Sequence, residues 1–183
     1  MSHQPCIRSD YLRSALNPDS VKLFMETAPS FVQQFNFEAI AFRGMSGALL
    51  APILAYKTGK TLLMVRKPKQ EDAPQHMDHS MYRVEGDRAT KRYLILDDFM
   101  CSGNTIWSIV REIRGWAPEA RCIGVLFYAD LLARGIPLSL RTHFPTCPAD
   151  CEDYMLGLNR TNQSVDFFQY HQPEEEKCIT IPF

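Results

Sequence analysis

Tyr93-Leu94-Ile95-Leu96-Asp97-Asp98-Phe99-Met100-Cys101-Ser102-Gly103-Asn104-Thr105 joins a short apolar run to two adjacent carboxylates and then to a loop of small residues. Tyr93 to Leu96 lies between Lys91-Arg92 and Asp97-Asp98, the pattern of a strand buried on both faces of a parallel sheet. Ligands of open α/β sheets sit at the carboxyl ends of such strands, which is where Asp97 and Asp98 stand. Thr105 then opens the periodic apolar set Ile106, Ile109, Val110 and Ile113, so a helix is expected from Thr105 to Trp116. Free N–H groups at its start, with the hydroxyls of Ser102 and Thr105, can surround a phosphate. Two carboxylates beside a phosphate cradle suit a sugar phosphate, because each can accept a hydrogen bond from a ribose hydroxyl.

The same logic extends upstream. Phe37 to Phe42 reads as another strand, followed by the turn Arg43-Gly44-Met45-Ser46-Gly47. Ala48, Leu49, Ile53 and Leu54 form a helical stripe that ends at Lys57-Thr58-Gly59, with Gly59 as C-cap, and Thr61 to Val65 gives the next strand before Arg66-Lys67. Together these make one βαβ unit. Gly44 and Gly47 let backbone amides come close to an anion, and the Arg43 guanidinium offers a rigid fork for phosphate oxygens.

These two regions resemble the type I phosphoribosyltransferases, whose signature for 5-phosphoribosyl 1-pyrophosphate (PRPP) is four apolar residues, two acids, a short variable stretch, then a small hydroxyl residue, Gly, a variable position and Thr. Tyr93 to Thr105 fills every slot. The resemblance covers about residues 36–130. It implies an α/β, Rossmann-like fold with a mostly parallel central sheet, helices on both faces, a flexible loop and a small hood, all within a single domain over 1–183. The hood would come from the N-terminal or C-terminal segment, or both.

The resemblance also implies roles. Asp97 and Asp98 would hold the ribose and, largely through water or ribose hydroxyls, Mg²⁺, staying ionised at neutral pH beside the metal. Cys101, Ser102, Gly103, Asn104 and Thr105 would hold the 5-phosphate, Asn104 standing where glycine is more usual and tolerating left-handed backbone. Arg43, Gly44, Met45 and Ser46 would face the pyrophosphate. Arg66-Lys67 matches the basic pair ending the second strand, and the polar stretch from Lys67 to Asp87 corresponds to the family's flexible loop, with Tyr82 to Gly86 as its returning strand. Lys67 is the leading catalytic candidate there, and Lys69, His76 and His79 are further contacts to pyrophosphate.

The implied activity is Mg²⁺-dependent transfer of a 5-phosphoribosyl group from PRPP to a nitrogenous base with release of pyrophosphate. Hypoxanthine-guanine members place an acid just before the phosphate-loop hydroxyl, and this chain has Cys101 there, so the acceptor is expected to be orotate-like or adenine-like. The alternative is a non-catalytic PRPP-binding regulator of nucleotide metabolism. Family habit suggests a homodimer.

Composition bounds the rest. With 183 residues and 45% hydrophobic content the chain can bury a sizeable core. Twenty basic against 21 acidic residues give a net charge of −1, so no broad positive field points to nucleic acid. No apolar run is long enough to cross a bilayer and Met1 to Pro5 lacks signal-peptide character, which leads to the expectation of a cytoplasmic protein. Cys6, Cys101, Cys122, Cys147, Cys151 and Cys178 are scattered, and Cys122 falls in the apolar strand Arg121 to Tyr128. His143, Cys147 and Cys151 recur every four residues, but Pro145 and Pro148 interrupt the helix that would align them, against a zinc site. Asn17 caps a helix expected to run toward Gln34, while Pro137 to Phe183 loses clear periodicity.

Overall fold

Four strands form the parallel centre of the sheet: β1 (Ala39–Phe42), β2 (Thr61–Val65), β4 (Arg92–Asp97) and β5 (Arg121–Phe127). Two short antiparallel strands close its edges, β3 (Val84–Glu85) beside β2 and β6 (Leu140–Arg141) beside β5. The order across the sheet is β3-β2-β1-β4-β5-β6. The computed structural model describes residues 12–67, 83–100, 103–144 and 165–166; within these, β7 (His143–Phe144) and β8 (Val165–Asp166) pair apart from the main sheet.

Side-chain alternation along β1 and β4 builds two cores. Ala39, Ala41, Tyr93 and Ile95 face one way, into a cluster with Trp107, Ile109, Val110 and Ile113 of α4 (Asn104–Trp116). Ile40, Phe42, Leu94 and Leu96 face the other way, among Phe24, Ala28 and Val32 of α2 (Pro18–Val32) and Leu50 and Leu54 of α3 (Gly44–Thr58). The short helices α1 (Arg13–Leu16) and α5 (Ala129–Arg134) add Ala15 and Leu131 to this second layer. The expected mostly parallel sheet with helices on both faces is therefore what the chain forms.

Local signals set most boundaries. Asn17 Oδ1 accepts from the amides of Asp19 at 2.9 Å and Ser20 at 3.2 Å, capping α2, which ends at Val32 just short of the expected Gln34. Gly59 closes α3 in left-handed conformation at φ +66°. Of the returning strand expected from Tyr82 to Gly86, Val84 and Glu85 pair with Val65 and Met64 among the described residues, and Tyr82 lies outside them. At Tyr93/Leu94 the register with β5 shifts by one residue, after which Asp97 stands opposite Phe127 and the two strands end level.

β1 and β4 are neighbours whose connections leave in opposite senses. From β1 the chain passes through α3 to β2; from β4 it passes through α4, on the other face, to β5. The gap between the carboxyl ends of β1 and β4 is thus the topological switch point, where open α/β sheets take their ligands. Among the described residues no helix is long and apolar enough to cross a membrane.

Candidate active site

Two helices start at the switch point, and neither is capped. Arg43 precedes α3 and Gly103 precedes α4 without a side-chain cap hydrogen bond, and neither first turn carries an acid. By contrast α2 has both a cap and Asp19 in its first turn. Uncapped amides at the positive end of a helix dipole are a place for an anion, and here two such ends lie at one sheet edge.

The acids come next. Asp97 and Asp98 are buried, with 4% and 6% of their surface exposed, although among the described residues neither is paired with a cation. Asp97 Oδ1 accepts from Ser46 Oγ at 2.8 Å and from the Asp98 amide at 3.1 Å. Asp98 Oδ1 accepts from the Phe99 amide at 2.8 Å. Among the described residues, Oδ2 of each acid keeps its acceptor capacity for something else. Burial, against the Ser46 hydrogen bond and with the neighbouring Asp98 charge, pushes Asp97 up to about 7.

The Arg-Gly bend meets the acids through Ser46, whose hydroxyl is committed to Asp97. Gly44 adopts φ +68°, where a side chain would be strained, and a Cβ there would lie 3.4 Å from Lys67 Cε and 3.8 Å from Lys67 Nζ. Lys67 at the end of β2 therefore reaches over the bend that follows β1. Gly47 carries a packing constraint beside the anion approach expected of it. A Cβ would stand 2.4 Å from Phe42 Cβ and 3.1 Å from the Leu96 carbonyl oxygen, so its role is to let α3 pack directly on the ends of β1 and β4.

Arg43 is half-buried. Its pKa is held below the ordinary value by burial, with Glu112 acting against this and Arg111 and Arg83 adding to it. Glu112 receives Arg83 Nη1 at 3.2 Å and Arg111 Nη2 at 3.4 Å. Among the described residues no hydrogen bond or ion pair occupies Arg43 itself. Arg66, in contrast, is engaged with Glu85 of β3 and gives its amide to the Arg83 carbonyl at 2.8 Å, which draws it to the sheet edge.

Of the remaining candidates, Met45 is 60% exposed in the first turn of α3, and Asn104 and Thr105 are exposed at the start of α4. The left-handed residue of the phosphate loop is Gly103, at φ +83°; Asn104 is already helical, and no described residue other than glycine has positive φ. The tolerance expected of Asn104 is therefore not used, because the turn is completed one residue earlier. Lys69, His76, His79, Cys101 and Ser102 lie outside the described residues, as do Cys147 and Cys151. Tyr128 was not among the sequence candidates, yet its hydroxyl donates to the Ser46 carbonyl oxygen at 2.7 Å. The available signal was a polar aromatic at the end of the next parallel strand. Cys122 behaves as the small hydrophobe expected, its thiol pushed up to about 12 by burial.

Among the described residues no group of three or more His, Cys, Asp or Glu side chains gathers as a metal cage. Two neighbouring carboxylates, each with an open oxygen, suit a hard divalent cation that takes its other ligands from water and substrate phosphates.

The chain is 27% identical over 124 residues to the adenine phosphoribosyltransferase of Mycoplasma capricolum, covering 63% of this chain and 72% of that protein. It is 25% identical over 126 residues to the corresponding protein of Mycoplasma mycoides, with the same coverage of 63% and 72%. Among solved structures it is similar to a phosphoribosyltransferase from Corynebacterium diphtheriae, at 19% identity and a TM-score of 0.49, covering 68% of this chain and 78% of that one. No family model matches the chain.

Proposed function

We propose adenine as the acceptor used by this chain, which belongs to the type I phosphoribosyltransferase family. Membership carries the reaction class: the chain is an enzyme that moves the 5-phosphoribosyl group from PRPP to a nitrogenous base and releases pyrophosphate. Adenine is favoured over orotate because the curated relatives described above are adenine phosphoribosyltransferases. Cys101, in the place of the acid found in hypoxanthine-guanine members, weighs against hypoxanthine.

The observation that carries the residue assignments is the hydrogen bond from Ser46 to Asp97, which ties the Arg-Gly bend to the acid pair at one switch point. In our reading the open Oδ2 atoms of Asp97 and Asp98 accept the two ribose hydroxyls. The N-terminus of α4, with Cys101, Ser102, Gly103, Asn104 and Thr105, takes the 5-phosphate. The N-terminus of α3, with Arg43, Gly44, Met45 and Ser46, takes the pyrophosphate, and Lys67 covers it from β2. Arg66 supports this edge through Glu85, and Lys69, His76 and His79 are assigned to the loop that follows.

Breaking the bond at C1 leaves positive charge on the sugar and negative charge on departing pyrophosphate. Fixed amides and the Lys67 and Arg43 cations stabilise that leaving group without reorganising at the moment of reaction. Asp97 and Asp98, together with PRPP oxygens, would hold Mg²⁺, which supplies further neutralisation of the pyrophosphate. Pyrophosphate release measured across adenine, orotate, hypoxanthine, xanthine and nicotinate tests the acceptor. Fastest release with adenine is expected; fastest release with another base overturns it, and PRPP binding with no release from any of them would favour a regulator.

A further inference from the structure

We infer that Tyr128 is a positioning residue for the acid pair, acting on Asp97 through Ser46; this rests on the PRPP-binding reading given above. Tyr128 follows β5 directly, and its amide donates to the Asp97 carbonyl oxygen at 3.2 Å. Its ring is buried, 2% exposed, and meets Phe24 edge-on with centroids 6.1 Å apart. From that fixed ring the hydroxyl reaches the Ser46 carbonyl oxygen at 2.7 Å, joining residues 82 positions apart.

Ser46 is in the first turn of α3, whose N-terminus has no side-chain cap of its own. A hydroxyl proton can serve one acceptor, and Ser46 gives its proton to Asp97 Oδ1 at 2.8 Å. Oδ1 also receives the Asp98 amide at 3.1 Å, so two donors converge on one oxygen and leave Oδ2 as the outward face of the carboxylate. Tyr128 thus links the ends of β5 and β4 with the first turn of α3. By anchoring the Ser46 carbonyl it sets where the Ser46 hydroxyl stands, and so which way Asp97 presents its free oxygen.

A tyrosine that served packing alone would make a different prediction. Tyr128→Phe keeps the ring and its contact with Phe24, so it would lower the melting temperature slightly and leave substrate constants alone. Positioning through Ser46 requires the loss to appear in PRPP recognition and to disappear when Ser46 has no hydroxyl to direct.

Tyr128→Phe, Ser46→Ala, their double variant and Ser46→Thr are compared by steady-state kinetics with Mg²⁺, PRPP and adenine and by calorimetric titration of PRPP. Tyr128→Phe and Ser46→Ala should each raise the KM and Kd for PRPP about five- to tenfold, with the KM for the base changed by less than about twofold. The double variant should be no worse than Ser46→Ala, because both act on one path, and Ser46→Thr should recover wild-type values. Losses that multiply in the double variant, or an unchanged PRPP constant in Tyr128→Phe, overturn the inference while leaving the proposed function standing. A wild-type protein that takes up no PRPP overturns both.

Discussion

Lys67 Nζ stands 3.8 Å from the point where a Cβ on Gly44 would be, so the ammonium at the end of one strand covers the bend that follows its neighbour. The relationship depends on the parallel pairing of β1 with β2, which places Phe42 beside Met64 and brings both strand ends to the same edge. Lys67 is exposed and, among the described residues, has no ion pair. A cation over uncapped α3 amides is the arrangement that the proposed pyrophosphate site requires, and two independent elements supply it.

Lys67→Ala should therefore lower kcat/KM for PRPP by ~10-fold or more while the melting temperature stays nearly constant, as expected for an exposed side chain with no ion pair among the described residues. Initial rates and a thermal melt check both halves. Unchanged rates would remove Lys67 from the pyrophosphate site.

Asp97 gives the protein a pH dependence whose sign is set by its burial. Its folded-state pKa is raised from 3.8 to about 7, so the folded protein binds this proton more tightly than the unfolded chain does. The associated stability is fully present below about pH 4 and is lost as pH rises through about 7. Asp97→Asn cannot ionise and can still accept from Ser46. Thermal melts of the apo protein should show the variant more stable than wild type above pH 7, with the two converging near pH 4. A variant less stable than wild type at pH 8 would contradict this account of the buried acid.

Magnesium should depend on substrate for its hold. With two carboxylates and no third acidic or imidazole ligand among the described residues, Mg²⁺ alone should leave the melting temperature unchanged. Mg²⁺ with PRPP should raise it through linkage, and EDTA should abolish both that rise and pyrophosphate release. A clear rise with Mg²⁺ alone would indicate a protein cage that this donor set does not provide.

Much of this arrangement is legible in the sequence because its signals are local. Tyr93 to Leu96 and Ala39 to Phe42 are apolar without interruption, as strands buried on both faces must be, and Asn17 and Gly59 mark helix ends by their own chemistry. The double acid followed by small residues is likewise contiguous. The parts that escape the sequence depend on distant partners. Ser46 reads only as a ligand contact in the sequence, because Asp97, the acceptor of its hydroxyl proton, is 51 positions away. Tyr128 reads as the last residue of a strand because its hydrogen-bond partner is remote. Gly47 reads as an anion-approach glycine, and its packing constraint from Phe42 and the Leu96 carbonyl shows only in the fold. Gly103 and Asn104 both accept left-handed backbone, and only the observed helix start at Asn104 shows that Gly103 alone adopts it.

Calorimetric titration of PRPP with Mg²⁺, run on wild type and on Asp98→Asn beside a titration of pyrophosphate alone, tests the assigned ribose grip most directly. The account predicts PRPP binding to wild type, weakening by about tenfold or more in Asp98→Asn through loss of a charge-assisted hydrogen bond, and a much smaller change for pyrophosphate. Equal PRPP affinity in the two proteins would contradict it.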